Sequence, residues 1–178
     1  GDLFEVWVGD DVLDAPDTGS GERDFSRRCV AVLHELSARK PVFLIPGNRD
    51  FLLGAAFRER AGLAALADRC VLQWGPRRWL LSHGDAQCTG DTDYQRFRAQ
   101  VRSPRWQADF LARPLAEREQ IARGLREGSE QRKRMDQAWS DLDDGTVRAQ
   151  LVAAGAHTLI HGHTHHPAAH GLGQGLSR

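Results

Sequence analysis

Four short motifs hold the residues of this chain that could do chemistry. They are Gly1-Asp2-Leu3-Phe4-Glu5, Gly47-Asn48-Arg49-Asp50, His83-Gly84-Asp85 and His161-Gly162-His163-Thr164-His165. Each places an oxygen or nitrogen donor where an apolar strand gives way to a loop, and ligands bind at that rim in open α/β sheets. Asp2 offers a carboxylate that can bridge two cations. Asn48 offers a neutral amide oxygen, and His83, His161 and His163 offer imidazoles. A mixed N/O set without sulfur suits Mn²⁺, Fe²⁺ or Zn²⁺ better than Ca²⁺ or a thiolate zinc site. Two such ions ~3.5–4 Å apart can clamp a phosphoryl group and activate a water. Taken singly, Gly-Asp and Gly-Asn are ordinary turn pairs. The alternating histidines of the fourth motif are the stronger signal, and the four together in this order point to a metal site.

The elements that must position these motifs are short. Residues 10–23 are rich in Asp, Gly, Pro and Ser and read as a loop. From Asp24 to Lys40, Phe25, Cys29, Val32, Leu33 and Leu36 fall at helical spacing and predict one buried face. Pro41 to Ile45 reads as a buried strand closed by Pro46-Gly47, and Ala55 to Ala61 as a short helix. Val71–Trp74 and Arg78–Ser82 flank Gly75-Pro76 as a hairpin. Thr92 to Ser140 reads as mostly helical, broken near Pro104, Pro114 and Gly128. Gly145 to Ala154 reads as a helix and Thr158–Ile160 as a strand running into the histidines. Helices alternating with short strands predict an α/β layered sheet. The stretch 92–140 does not alternate and reads as a helical insertion, leaving 1–91 and 141–178 as the sheet domain.

With 178 residues, 40% of them hydrophobic, the chain suffices for one globular domain with a core. Its formal net charge of zero lacks the basic excess of a nucleic-acid binder, so no nucleic-acid partner is expected. From Arg96 to Arg134, however, 11 basic residues face 5 acidic ones. That run is either a solvated helical face or a surface for phosphates or an anionic membrane. Cys29, Cys70 and Cys88 are odd in number and widely spaced, which argues against a disulfide framework and fits a reducing compartment. No run of about 18 apolar residues is present. Gly1-Asp2-Leu3 reads like the tail of a strand. Gly171, Gly173 and Gly175 punctuate a stretch without periodicity, so the chain reads as truncated at both ends.

The motif order resembles the calcineurin-like metallophosphoesterase superfamily. Gly1 to Asp11, Gly47 to Gly54, His83-Gly84-Asp85 with Cys88-Thr89, and Ile160 to His165 with Pro167 resemble, more closely, the UDP-2,3-diacylglucosamine hydrolase family. The resemblance implies a layered metallophosphoesterase sheet domain with a helical cap, and two Mn²⁺ in the complete enzyme. Asp2 matches the bridging carboxylate. Asn48, His83 and His161 match ligands of one ion and His163 a ligand of the other. Asn48, Arg49 and His161 match residues that also face the substrate, so Asp2, Asn48, Arg49 and His83 form the catalytic set. Asp91 and Ser129 match substrate contacts, or are helix caps. Lys133 is the candidate for a further contact in the cap. Three departures stand out. No Asp-x-His motif precedes Gly1, strands are missing after Pro167, and the segment after Ser129 is one residue short. The remaining ligands serve the two ions unequally, so residues 1–178 alone are expected to hold about one ion tightly and turn over negligibly.

The reaction implied is water attack on the α-phosphorus of UDP-2,3-diacylglucosamine, giving UMP and 2,3-diacylglucosamine 1-phosphate. Its lipid substrate implies work at the cytoplasmic face of the bacterial inner membrane as a peripheral protein. Trp106–Leu115, with Trp106, Phe110 and Leu111 among arginines, suits either that surface or packing on its own domain. The alternatives are another phosphoesterase, acting on phosphoproteins or a different nucleotide diphosphate, and a scaffold that keeps the fold without the metals.

Overall fold

Helix boundaries follow local chemistry. In the computed structural model, α1 (Glu22–Ser37), α2 (Ala55–Ala61), α3 (Thr92–Val101), α4 (Pro104–Leu111), α5 (Leu115–Met135) and α6 (Asp144–Ala154) are the α-helices among the described residues. The structure describes residues 1–16, 21–135 and 141–178, and at 128–135 the backbone alone. The carboxylates of Asp91 and Asp143 accept the backbone N–H groups of Tyr94 and Thr146 and start α3 and α6. Ser103 does the same for α4, with Pro104 at the first helical position. Gly62 and Gly155 end α2 and α6 in the left-handed conformation.

The strands β1 (Phe43–Leu44) and β2 (Ala64–Ala65) form a parallel pair. The strands β3 (Cys70–Trp74), β4 (Arg77–Leu81), β5 (Thr158–Ile160), β6 (Gly171–Gly173) and β7 (Leu176–Ser177) make a second sheet in the order β3-β4-β5-β7-β6. Its ends are antiparallel hairpins and its middle pairs are parallel. The chain is therefore mixed α/β. One face of this sheet packs on α6 through Leu80, Leu159, Val147, Leu151 and Leu172. A second core joins Phe4, Trp7, Leu13, Leu53, Phe57 and Phe110. There Phe57 meets Trp7 edge-on at 5.1 Å and Phe4 at 5.7 Å, pairs worth ~0.5–1.5 kcal/mol each beyond their burial.

Three expectations are corrected and one pair of alternatives is narrowed. Strands do follow Pro167: β6 and β7 turn at Gly173, Gln174 and Gly175, all at positive φ, and Leu172 is buried. Alternating glycines supplied the turn but hid the apolar periodicity. Helix α5 runs through Gly124 and Gly128 without a break, because each helical glycine costs only ~1 kcal/mol in a helix otherwise rich in Ala, Leu, Glu, Gln and Arg. On α1, Phe25 and Val32 are 51% and 64% exposed and Leu36 is also exposed, while Arg23 and Ser26 are buried. The helix packs through the stripe Cys29, Val30 and Leu33, and is thus rotated from the face expected. On α4, of the two readings weighed, packing on its own domain describes Trp106 and Phe110, which stack at 4.7 Å and join the core, while Leu111 is exposed. No helix among the described residues is long and apolar enough to cross a membrane.

Candidate metal centre

The four motifs occupy loops that are tied to one another by backbone hydrogen bonds. Trp7 N, two residues beyond the first motif, donates to Arg49 O in the second at 3.1 Å. Gly162 N donates to His83 O at 2.9 Å and joins the fourth to the third. Close approach explains Gly47: a Cβ there would lie 2.1 Å from Asp2 Oδ1 and 2.4 Å from Asp2 N. Gly84 sits at φ 116, where side chains are strained, and a Cβ would meet Gly162 O at 3.0 Å.

At the meeting point, ligand atoms of Asp2, His83 and His163 all lie within 4.8 Å of one another. Asn48 Oδ1 is 2.8 Å from His83 Nε2 and 2.9 Å from His163 Nδ1. Asp2 Oδ2 is 3.6 Å from His83 Nε2. Asp2 and His163 both hold positive φ, at 57° and 69°, an uncommon conformation for non-glycine residues that recurs at functional sites. Burial pushes the His83 imidazole below its ordinary pKa against the pull of Asp2 and Asp85, so it is neutral at pH 7 and a competent ligand. Its Nδ1 is buried and, among the described residues, without a hydrogen-bond partner. One carboxylate, one amide oxygen and two imidazoles converging in this way fit a divalent cation of the Mn²⁺, Fe²⁺ or Zn²⁺ kind.

The other site residues expected from sequence stand as follows. Arg49 N donates to Asp2 Oδ1 at 3.0 Å, and its guanidinium lies 3.7 Å from Asp2 Oδ2 and pairs with Glu5. His161 lies outside the cluster, with Nδ1 2.9 Å from Gly162 O, beside an open cavity of about 440 Å³ also lined by Ile160, His165, Pro167 and Arg178. Asp91 is the cap of α3. Ser129 and Lys133 lie on α5, and their side chains are outside the described residues.

Sequence reasoning gave no role to the residues that hold the ligands. Asp68 accepts from His83 N at 3.2 Å and from Ser82 Oγ at 2.7 Å. Asp85 is fully buried and accepts from Tyr94 Oη and Arg98 Nε, each at 2.8 Å. Arg102 Nη2 donates to Gly47 O at 3.0 Å. The carboxylate of Asp50 lies under the first two motifs. Asp50 and Asp85 were legible as motif members. Nothing in the sequence marked Asp68 or Arg102.

No protein-family model matches the chain. Curated relatives are found across nearly its whole length. A Chromobacterium violaceum protein named UDP-2,3-diacylglucosamine hydrolase is 47% identical over 172 residues, covering 96% of this chain and 69% of the relative. A Stenotrophomonas maltophilia protein of the same name is 45% identical, covering 98% and 71%. One from Chromohalobacter salexigens is 41% identical, covering 96% and 66%.

Proposed function

The chain belongs to the UDP-2,3-diacylglucosamine hydrolase family, and from that premise we propose that it hydrolyses the diphosphate of UDP-2,3-diacylglucosamine to UMP and 2,3-diacylglucosamine 1-phosphate, a step of lipid A biosynthesis. The observation that carries this reading is the convergence of Asp2, Asn48, His83 and His163 beside the Arg49 guanidinium. When bound, two Mn²⁺ would polarise the phosphoryl oxygens and make water a nucleophile near neutral pH. The chain's own residues bind and orient. Asp2 would supply the anionic ligand, and Asn48, His83, His161 and His163 the neutral ones. Arg49, now paired with Glu5, turns to the diphosphate, whose doubled charge outcompetes one exposed carboxylate. Asp91, Ser129 and Lys133 are proposed to face the sugar and acyl portions.

The same reading gives the fold as a layered metallophosphoesterase domain, 1–91 and 141–178, with residues 92–140 as a helical cap. It places the protein at the cytoplasmic face of the inner membrane, where its lipid-linked sugar nucleotide resides. The test is UMP release with added Mn²⁺ from a protein in which residues 1–178 follow a strand carrying Asp-x-His. Brisk release from UDP-2,3-diacylglucosamine, and none of phosphate from a phosphopeptide, is the result expected. The reverse preference would assign the site to another phosphoesterase reaction.

A further inference from the structure

We infer that Asp50 is a positioning residue whose carboxylate sets the two ligand-bearing segments in place before any cation arrives. This rests on the reading of Asp2 and Asn48 as ligands. Asp50 has no exposed surface. Its Oδ2 accepts from Leu3 N at 2.6 Å and Phe4 N at 3.4 Å. Its Oδ1 accepts from Gly47 N at 2.6 Å and Asp2 N at 3.3 Å. One carboxylate thus gathers four backbone N–H groups from two segments more than forty positions apart in sequence. No ion pair to Asp50 is found among the described residues, and four peptide N–H groups meet its two oxygens.

The consequence falls on the ligands. Asp2 is held at φ 57, a conformation its own sterics disfavour, while the wrap of residues 2–4 around Asp50 over-determines it. Gly47, seized by the same carboxylate, precedes Asn48, and Arg49 N closes the loop onto Asp2 Oδ1 at 3.0 Å. An amide cannot replace this carboxylate. Each Asp50 oxygen takes two donors, so in either orientation an asparagine NH₂ would point at two N–H groups.

The experiment is Mn²⁺ titration by calorimetry on the purified chain and on two variants. Asp50→Asn is expected to weaken Mn²⁺ by about tenfold or more, the cost of losing a group that orients ligands. Asp10→Asn is the control. Asp10 accepts from Gly54 N and Phe57 N, both at 2.9 Å, and from Trp7 Nε1 at 3.0 Å, beside the same core, yet bonds to neither ligand segment. It is expected to lower the melting temperature and leave Mn²⁺ affinity as it was. Unchanged affinity in Asp50→Asn, or equal loss in both variants, would overturn the inference. A measurement on the unsubstituted, metal-free chain decides the matter if Asp50→Asn does not fold. The amides of Leu3 and Gly47 should exchange slowly with solvent, and exchange at the rate of an open loop would also overturn it. Absence of Mn²⁺ binding by the unsubstituted chain would instead remove the metal reading, and the amide exchange would still judge Asp50.

Discussion

Tyr94 lies over the His163 ring, centroids 6.0 Å apart and planes 29° from parallel. The same side chain donates its hydroxyl to Asp85 at 2.8 Å. Burial beside Asp85 pushes the phenol's pKa up, so it remains a protonated donor throughout the physiological range. Helix α3 thereby touches three of the four motifs: His163 through the Tyr94 ring, Asp85 through Tyr94 and Arg98, and Gly47 O through Arg102 at 3.0 Å. Helix α3, the first of the proposed cap, is part of the frame of the candidate site.

Two substitutions at Tyr94 separate the ring from the hydroxyl. Tyr94→Phe keeps the stack and leaves Asp85 with its arginines, so the expected loss is about 1 kcal/mol of stability, with Mn²⁺ affinity preserved. Tyr94→Ala removes the ring stacked on His163, for an expected stability loss below the ~3–5 kcal/mol of a fully buried aromatic, since Tyr94 is half-buried, and a metal affinity lower by roughly 10-fold. Chemical denaturation and calorimetry read the two effects. Equal Mn²⁺ affinity in both variants would show that the stack does not orient His163.

The motifs that meet in the candidate site were legible because each pairs a donor with a glycine; three of them follow β1, β4 and β5, while no strand among the described residues precedes Asp2. The start of α3 was legible at Asp91, where the side chain itself makes the bond, and Pro104 marked the break before α4. The supports were not. Asp68 and Arg102 act through backbone contacts 15 and 55 positions away, and no local pattern reports such a pairing. The face of α1 was misread for a related reason. Phe25, Val32 and Leu36 share helical spacing with Cys29 and Leu33, and only the placement of α2 decides which stripe is covered. The strands after Pro167 escaped notice because Gly171, Gly173 and Gly175 leave too few side chains to show an alternation.

His83 and His161 occupy different positions and are distinguished by different assays. His83 is 2% exposed and central to the cluster. His83→Ala is expected to lose at least the roughly 10–100-fold in metal affinity that a supporting partner alone can cost, and nearly all turnover with it. His161 stands outside the cluster, at the open cavity. His161→Ala is expected to abolish most turnover as well, and its Mn²⁺ titration tells whether the ring moves in to bind. Full activity with unchanged metal content in either variant would remove that residue from the site.

The segment 92–140, proposed as a cap, cannot be treated as a detachable module, and Arg118 shows why. Its guanidinium, 3% exposed, pairs with Asp11 and donates to Val8 O at 2.5 Å, while Trp106, Phe110, Leu115 and Ile121 enter the core around Trp7 and Phe57. Deleting 92–140 would therefore unfold more than it isolates, and single substitutions are the better probe. Arg118→Met should cost about 1–3 kcal/mol, because Val8 O is left buried without its donor. Asp11→Asn tests the ion pair through pH. The hydrogen bond from Arg118, against a smaller opposing effect of burial, holds the Asp11 carboxyl below its ordinary 3.8. A carboxyl depressed in the folded state contributes stability above its unfolded value and loses that contribution as pH falls through the folded one. At pH 7 the Asp11→Asn chain should therefore be less stable, by about 1 kcal/mol or less since the carboxylate is half exposed. Below pH 3.8 the difference should shrink as the wild-type carboxyl takes up its proton. Thermal melts of both chains from pH 7 down to the acid limit of folding give the answer, and a gap that stays constant below pH 3.8 would show that the Asp11 charge contributes nothing to docking α5.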